Sequence, residues 1–176
     1  MRVLFIFLFV SSLSLGQNKV ISEKPILNRN IISGNIGSFI IAHNAGITYD
    51  RILPNFLLKK YKKLQSVFSL SFNGNYTEYY FFGKTLERVI IPYASYGVIY
   101  TPNNQKNENK NHLEMNFGLG LAYNTGSSDG SNYDETSGLK PVLRCGYRYQ
   151  APQKGFVFKV GMGVPELFHL GFGISF

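Results

Sequence analysis

The side chains in this sequence that could do chemistry are few. They are His43, His112, His169, the single cysteine Cys145, and the ionisable residues Glu114, Lys140, Arg144, Arg148 and Lys159 in its second half. Nucleophilic catalysis needs a nucleophile with a base within hydrogen-bond reach, which deacylases of the bacterial envelope carry as His-x-Ser on a strand. His43 is followed by Asn44-Ala45, His112 by Leu113-Glu114 and His169 by Leu170-Gly171, so none fits. Gly-x-Ser-x-Gly occurs only by letter, at Gly126-Ser127-Ser128-Asp129-Gly130 in a turn-rich connection with no helical pattern, and His-Glu-x-x-His, paired-cysteine metal spacings and phosphate loops are missing from the sequence. Cys145 has no partner motif and reads as an apolar strand residue. His112 and Glu114 lie two apart and could be an acid/base or metal pair. The stronger reading pairs Glu114 with Arg144 or Arg148 on a neighbouring strand, because an enclosed charge must find a partner. His169 reads as part of the same network. The expected site is therefore structural: a luminal polar network of Glu114, Arg144, Arg148, Lys159 and His169, with no catalytic residue, cofactor or metal.

The elements that must hold these residues are strands. From Ile36 onward apolar and small or polar residues alternate with period two, which sorts side chains onto two faces. At the C-terminus Phe168, Leu170, Phe172, Ile174 and Phe176 oppose His169, Gly171, Gly173 and Ser175. Across 113–124, Leu113, Met115, Phe117, Leu119, Leu121 and Tyr123 oppose Glu114, Asn116, Gly118, Gly120, Ala122 and Asn124. The same division recurs around Phe68, Leu70 and Phe72, across 139–150, across 156–163, and from Ile36 to Asp50; 88–100 is apolar on both faces.

These runs are roughly 9 to 15 residues long, right for tilted membrane strands and longer than those of soluble sheets. The face opposite the apolar one is rich in glycine and holds the charges, as a narrow barrel interior requires. Tyr49, Tyr76, Tyr79, Tyr80, Tyr123, Tyr147 and Tyr149 fall near strand ends, where aromatic girdles meet headgroups. Polar, turn-rich connections fall at 101–111, 125–138 and 151–155. The fold expected is all-β: an antiparallel up-and-down transmembrane β-barrel. Seven strands are evident and single-chain bacterial barrels have even numbers, so eight are expected. Residues 19–33 are the candidate for the missing one. With the C-terminus in the periplasm, 151–155 is a periplasmic turn and 125–138 an external loop.

The N-terminus reads as an export signal. Arg2 precedes an apolar core ending in Ser11, Ser12, Ser14 and Gly16, and a cut before Gln17 puts small residues at −3 and −1. Residues 1–16 are thus expected to be a cleaved signal peptide and 17–176 the barrel domain. The apolar run is too short for an α-helical span. The formal net charge is +8 over 176 residues and becomes +7 once Arg2 leaves. The basic residues are scattered, densest at Lys59, Lys60, Lys62 and Lys63, and export argues against a nucleic-acid partner; lipid phosphate near the membrane surface is a better one.

Three stretches carry a resemblance: His112-Leu113-Glu114-Met115-Asn116-Phe117-Gly118-Leu119-Gly120; Gly146-Tyr147-Arg148-Tyr149-Gln150 followed by Lys154-Gly155-Phe156-Val157-Phe158-Lys159; and Gly171-Phe172-Gly173-Ile174-Ser175-Phe176. In that order they resemble small outer-membrane β-barrel proteins of the Bacteroidota type, most of which lack an assigned activity. The resemblance implies that Phe172, Ile174 and Phe176 form the C-terminal signal read by the barrel-insertion machinery. It further implies an outer-membrane location in a Gram-negative bacterium.

The function expected is that of a non-enzymatic outer-membrane barrel with a structural or surface-interaction role, its partners being outer-membrane lipid and the insertion machinery. The alternatives are an outer-leaflet lipid-modifying enzyme and a soluble exported β-barrel or sandwich that binds a ligand.

Overall fold

A computed structural model describes residues 27, 29–39, 42–53, 63–79, 85–102, 109–127, 137–151, 154–164 and 166–176. The expected signal peptide, Tyr80, residues 59–62 and most of the connections 101–111 and 125–138 lie outside these residues. Eight strands run through them: β1 (Asn30–Phe39), β2 (Ala42–Ile52), β3 (Leu64–Tyr79), β4 (Thr85–Tyr100), β5 (Asn111–Ser127), β6 (Gly138–Gln150), β7 (Gly155–Val164) and β8 (Phe168–Ser175). Consecutive strands pair antiparallel and β8 pairs back onto β1, so the sheet is a closed up-and-down barrel. No helix occurs among the described residues.

Alternation in sequence becomes alternation across the wall. On β5, exposed Leu113, Met115, Phe117, Leu119 and Leu121 alternate with buried His112, Glu114, Gly118, Gly120 and Ala122. The distribution is inverted relative to a water-soluble domain. Among the described residues twenty-six large hydrophobic side chains are exposed, Phe117 and Leu139 each at 64%, against eleven hydrophobic residues in the interior. Between the two rims no charged side chain faces outward among the described residues.

The register sets the width. A row of paired residues starts at Asn30 and passes through Arg51, Phe68, Tyr96, Phe117 and Leu143 to Val164. Two residues earlier on β7, Met162 pairs with Phe168 and that residue with Ser38. Carried once around the barrel, these offsets give a stagger of ten residues. Such a stagger goes with strands tilted by about 35–45°, and eight strands enclose a lumen just wide enough for side chains to fill.

Parity called for an eighth strand, and its position corrects the sequence reading in one place. Val20, Ile21, Ser22 and Glu23 lie outside the described residues, and only 30–33 of the candidate segment belongs to β1. The run from Ile36 to Asp50, read as one strand, is two. Phe39 pairs with Ala42, leaving Ile40 and Ile41 as the link. No Gly, Pro or Asn marks this link, and apolar residues continue through it, so the usual turn chemistry is missing. The outward face switches there from the even positions Ile32 and Ile36 to the odd positions His43, Ala45 and Ile47.

The segment with apolar residues on both faces is β4. Its inward Ile99 joins Leu27, Ile31, Ile52, Val67 and Val157 in an apolar cluster, while inward Val89 and Ile91 join Ala122 in another. We call the end where β1 begins and β8 finishes the near end, and the opposite end the far end. The first cluster lies at the near end, the second at the far end.

Inward glycines keep the lumen from overfilling. A Cβ on Gly118 would lie 2.5 Å from the Cβ and 2.6 Å from the Cα of Ser95 and would overlap the carbonyl oxygen of Ala94. Gly34 faces outward and has no heavy atom within 4 Å of such a Cβ. Gly118→Val is expected to cost about 1–3 kcal/mol or more, because backbone cannot yield as a flexible side chain can. Gly34→Ala is expected to be near neutral. Denaturant midpoints of the two variants and the parent check both.

Candidate functional site

The lumen is built from one residue in two on every strand. Its buried charged members among the described residues number six: the acids Asp50, Glu114 and Glu166, and the bases Arg144, Arg148 and Lys159, all at most 9% exposed. Three against three leaves the described interior without net charge.

Four of them form a closed ring of alternating sign. Arg148 on β6 donates from Nη1 to Glu114 Oε2 on β5 at 2.8 Å, and its Nη2 lies 3.3 Å from Asp50 Oδ2 on β2. The ammonium of Lys159 on β7 is bonded to that same Asp50 oxygen and lies 3.9 Å from Glu114 Oε1. Each charge thus faces two of opposite sign. Asn116 Nδ2 donates to Glu114 Oε1 at 2.6 Å, and Arg148 Nε donates to Gln150 Oε1 at 2.9 Å. Asp50 reaches β6 and β7 from across the barrel, so the ring spans the lumen.

A second cluster lies toward the far end. Glu166, in the link between β7 and β8, folds into the barrel mouth and is 3% exposed. Arg144 Nε donates to its Oε2 at 3.0 Å, and the guanidinium also bonds its Oε1 and the hydroxyl of Tyr93. A chain of hydrogen bonds ends on the same carboxylate. Asn35 Nδ2 donates to Thr48 Oγ1 at 2.6 Å, Thr48 lies 2.7 Å from Ser71 Oγ, Ser71 donates to Asn73 Oδ1 at 3.1 Å, and Asn73 Nδ2 donates to Glu166 Oε1 at 3.1 Å. Asn35, Thr48, Ser71 and Asn73 come from β1, β2 and β3, so the chain ties three of the eight strands to the last link.

The residues singled out from sequence therefore divide. Glu114, Arg148 and Lys159 come together, and of the two arginines weighed for Glu114 the partner is Arg148. Arg144 belongs to Glu166. His169 is buried in the lumen beside the two clusters, and its Nδ1 has no hydrogen-bond partner. Gly161 leaves its ring room, since a Cβ there would lie 2.7 Å from His169 Cε1. Lys140 is half-buried near the far rim. Phe172, Ile174 and Phe176 face outward from the β8 end, all exposed.

His112 is not paired with Glu114. Its Nε2 lies 3.1 Å from the Gln150 carbonyl, which can only accept, so that nitrogen carries the proton, and Nδ1 accepts from Thr101 Oγ1 at 2.9 Å. Both ring nitrogens are committed to holding β5 against its neighbours.

Sequence reading missed Asp50, Glu166 and Tyr93. Charge balance could have found the acids: three inward bases against one inward acid require further carboxylates, and Asp50 continues the inward series Gly46, Thr48. Glu166 lies in a link, where no alternation points inward. Tyr93 was hidden in the doubly apolar β4 segment.

The chemistry available is limited. A space of about 30 Å³ is lined by Asp50, Ser69, Asn116 and His169 among others, each with one buried polar atom that has no protein partner. It is polar and roomy enough for water. No cluster of His, Cys, Asp or Glu suited to a metal occurs among the described residues. On the outer wall Ser38 Oγ and His43 Nδ1 lie 3.3 Å apart, a pair formed across strands, which in-strand motifs do not reveal. The three carboxylates named above all point into the lumen, so none of them backs His43. At the near end the polar column stops against Leu27, Ile31, Ile52, Val67, Ile99 and Val157, each at most 2% exposed.

Arg148→Met would leave Glu114 and Asp50 with only Lys159. Breaking a buried pair from one side costs about 3–5 kcal/mol, and a drop of that size in unfolding free energy is expected. Arg148→Met combined with Glu114→Gln should recover part of it, because Lys159 then suffices for Asp50. Equal losses in the single and double variants would show that the two groups are not coupled.

Comparison of the chain with protein families, with curated proteins and with solved structures gives no match in any of the three.

Proposed function

We propose that this protein is an outer-membrane β-barrel of a Gram-negative bacterium, exported by the signal at residues 1–16. It acts as a closed, non-enzymatic element of the envelope whose links present surfaces to partners. The observation that carries the reading is the inverted distribution of apolar and charged side chains on a closed barrel. Leaving one large apolar side chain in water costs about 1.5–3 kcal/mol relative to burying it. Twenty-six exposed ones together cost on the order of tens of kcal/mol, more than the 5–15 kcal/mol net stability of an ordinary domain. Hydrocarbon removes that cost, and a closed sheet is one of the few structures whose backbone is satisfied there. Strand lengths of 8 to 17 residues accommodate the about 9–11 residues that a tilted strand needs to cross.

A structural role rather than transport is supported by the filled lumen. The ring of Glu114, Arg148, Asp50 and Lys159 saturates its own charges, and the near-end cluster closes the column. The resemblance noted in the sequence supports the location, with Phe172, Ile174 and Phe176 as the insertion signal. Outer-membrane lipid and the insertion machinery are the partners that follow.

In this reading the protein fractionates with the outer membrane. On a denaturing gel its unboiled form migrates differently from the boiled form. A protein found in the soluble periplasm with no shift would make the apolar wall the contact face of a soluble assembly instead. In planar bilayers no stable conductance step is expected, and steps of porin size would overturn the closed-lumen reading. Phe176→Ala is expected to lower the amount of folded barrel recovered from membranes in cells while leaving folding into detergent micelles unaffected. Equal losses in both would make Phe176 a folding residue and not a signal.

A further inference from the structure

Exposed charge differs between the two ends of the barrel. At the near end Arg29, Lys63, Lys110 and Lys154 are exposed and Arg51 is half exposed. They sit at the feet of β1, β2, β3, β5 and β7, so cations are distributed around most of one rim. None of the five belongs to an ion pair among the described residues. The acids Asp50, Glu114 and Glu166 are all inside the lumen, and the near-end link joining β4 to β5 carries one acid, Glu108, together with Lys106. The far rim has exposed Arg88 and half-buried Lys140. In sequence the link joining β2 to β3 adds Lys59, Lys60 and Lys62 and no acid, whereas the link joining β5 to β6 contains Asp129, Asp134 and Glu135 and no base.

The layer next to the cations is aromatic. Tyr49 donates to Asn30 Oδ1 at 2.9 Å, Tyr96 donates to Ser66 Oγ at 2.6 Å, and Tyr147 donates to Asn111 Oδ1. Their hydroxyls are occupied by neighbours on the wall, which leaves the cations as the groups open to an outside ligand. Apolar wall, tyrosine layer and unneutralised cations, in that order, match the layers of a bilayer from hydrocarbon to phosphate.

We infer that the near rim binds the phosphates of anionic phospholipids in the leaflet that surrounds it. The inference rests on the membrane reading above. Cations held near an anionic surface each strengthen binding several-fold, and the effect is screened by salt within about 10 Å at 0.1 M. The orientation of the barrel follows, since the basic rim and the acidic β5–β6 link then lie on opposite sides of the bilayer.

The test uses the full barrel folded in non-ionic detergent, with folding scored by the gel shift. Equimolar phosphatidylglycerol and phosphatidylcholine are added, and the lipids retained are counted by native mass spectrometry. Phosphatidylglycerol is expected to be retained about tenfold over phosphatidylcholine at low salt, with the preference falling as salt rises. A variant carrying Arg29→Gln, Arg51→Gln, Lys63→Gln, Lys110→Gln and Lys154→Gln should lose the preference, and Arg88→Gln with Lys140→Gln should keep it. A folded parent without preference, or a near-rim variant that retains it, overturns the inference and leaves the membrane reading standing. Displacement of the lipid by an equal concentration of inorganic phosphate would reduce the rim to a bare anion site and overturn the lipid assignment. A chain with no folded form in detergent or vesicles overturns the membrane reading, and the inference with it.

Discussion

The pairing of β8 with β1 is the contact on which the rest of the structure depends. It runs from Ile31 opposite Ser175 to Ser38 opposite Phe168, and the amide of Phe176 donates to the Asn30 carbonyl at 2.9 Å just beyond it. Without this pairing the sheet would have two edges, each a row of unpaired backbone groups that must be hydrated or covered. With it, the backbone of the wall is satisfied within the wall, and the outer side chains have no polar group to accompany. Closure on eight strands then dictates the inside. The lumen is narrow, so positions such as Gly118, Gly146 and Gly161 face backbone or ring atoms closer than a side chain allows.

The charged residues accept that narrowness and use it. A carboxylate or guanidinium held away from water is costly unless paired and hydrogen-bonded, and the alternating ring satisfies that condition with residues from four strands. Its geometry also constrains register. Because side chains alternate with period two, a slip of β2 by one residue would turn Asp50 outward among apolar neighbours and leave Arg148 and Lys159 with Glu114 alone. The second cluster does the same for the last hairpin, since Glu166 must enter the mouth for Arg144 and Asn73 to be satisfied. The polar interior therefore specifies which strands lie opposite one another, a task the featureless apolar exterior cannot perform.

Most of the architecture was legible because one physical signal carries it. On β5 and β8 each apolar residue is followed by a small or polar one, on β6 and β7 the pattern is broken only around Val142 and Val157, and burial follows it closely. Where the signal failed, a second requirement was superimposed. In β4 the inward Val89, Ile91 and Ile99 cap the barrel ends, so both faces are apolar. Between β1 and β2 the link at Ile40 and Ile41 has neither glycine nor proline, and only the even number of strands pointed to an extra one. At the site, periodicity could assign Glu114, Arg148 and Lys159 to one face but could not reveal partners. Asp50 lies on the opposite wall and Glu166 lies outside any strand, so only the demand for charge balance links them to the arginines.

That balance has a consequence for the surface. Three acids and three bases cancel within the lumen, and the described wall between the rims carries no charge, so the formal net charge of +8 resides in the rims, the links and the N-terminal segment. A barrel that is neutral inside and apolar outside can distinguish one side of its surroundings from the other only through its ends. The chain treats the ends differently. Basic residues gather where β1 begins and β8 finishes, and the acidic side chains outside the lumen occur elsewhere in greater number, including three in the link joining β5 to β6. Since both chain termini of the barrel lie at the basic end, the first and last strands enter and leave through the same charged rim. The apolar cluster of Leu27, Ile31, Ile52, Val67, Ile99 and Val157 behind that rim keeps its cations from facing the luminal ring. The two charge systems are thus insulated from each other, one fixing strand register inside and the other free to meet an anionic surface outside.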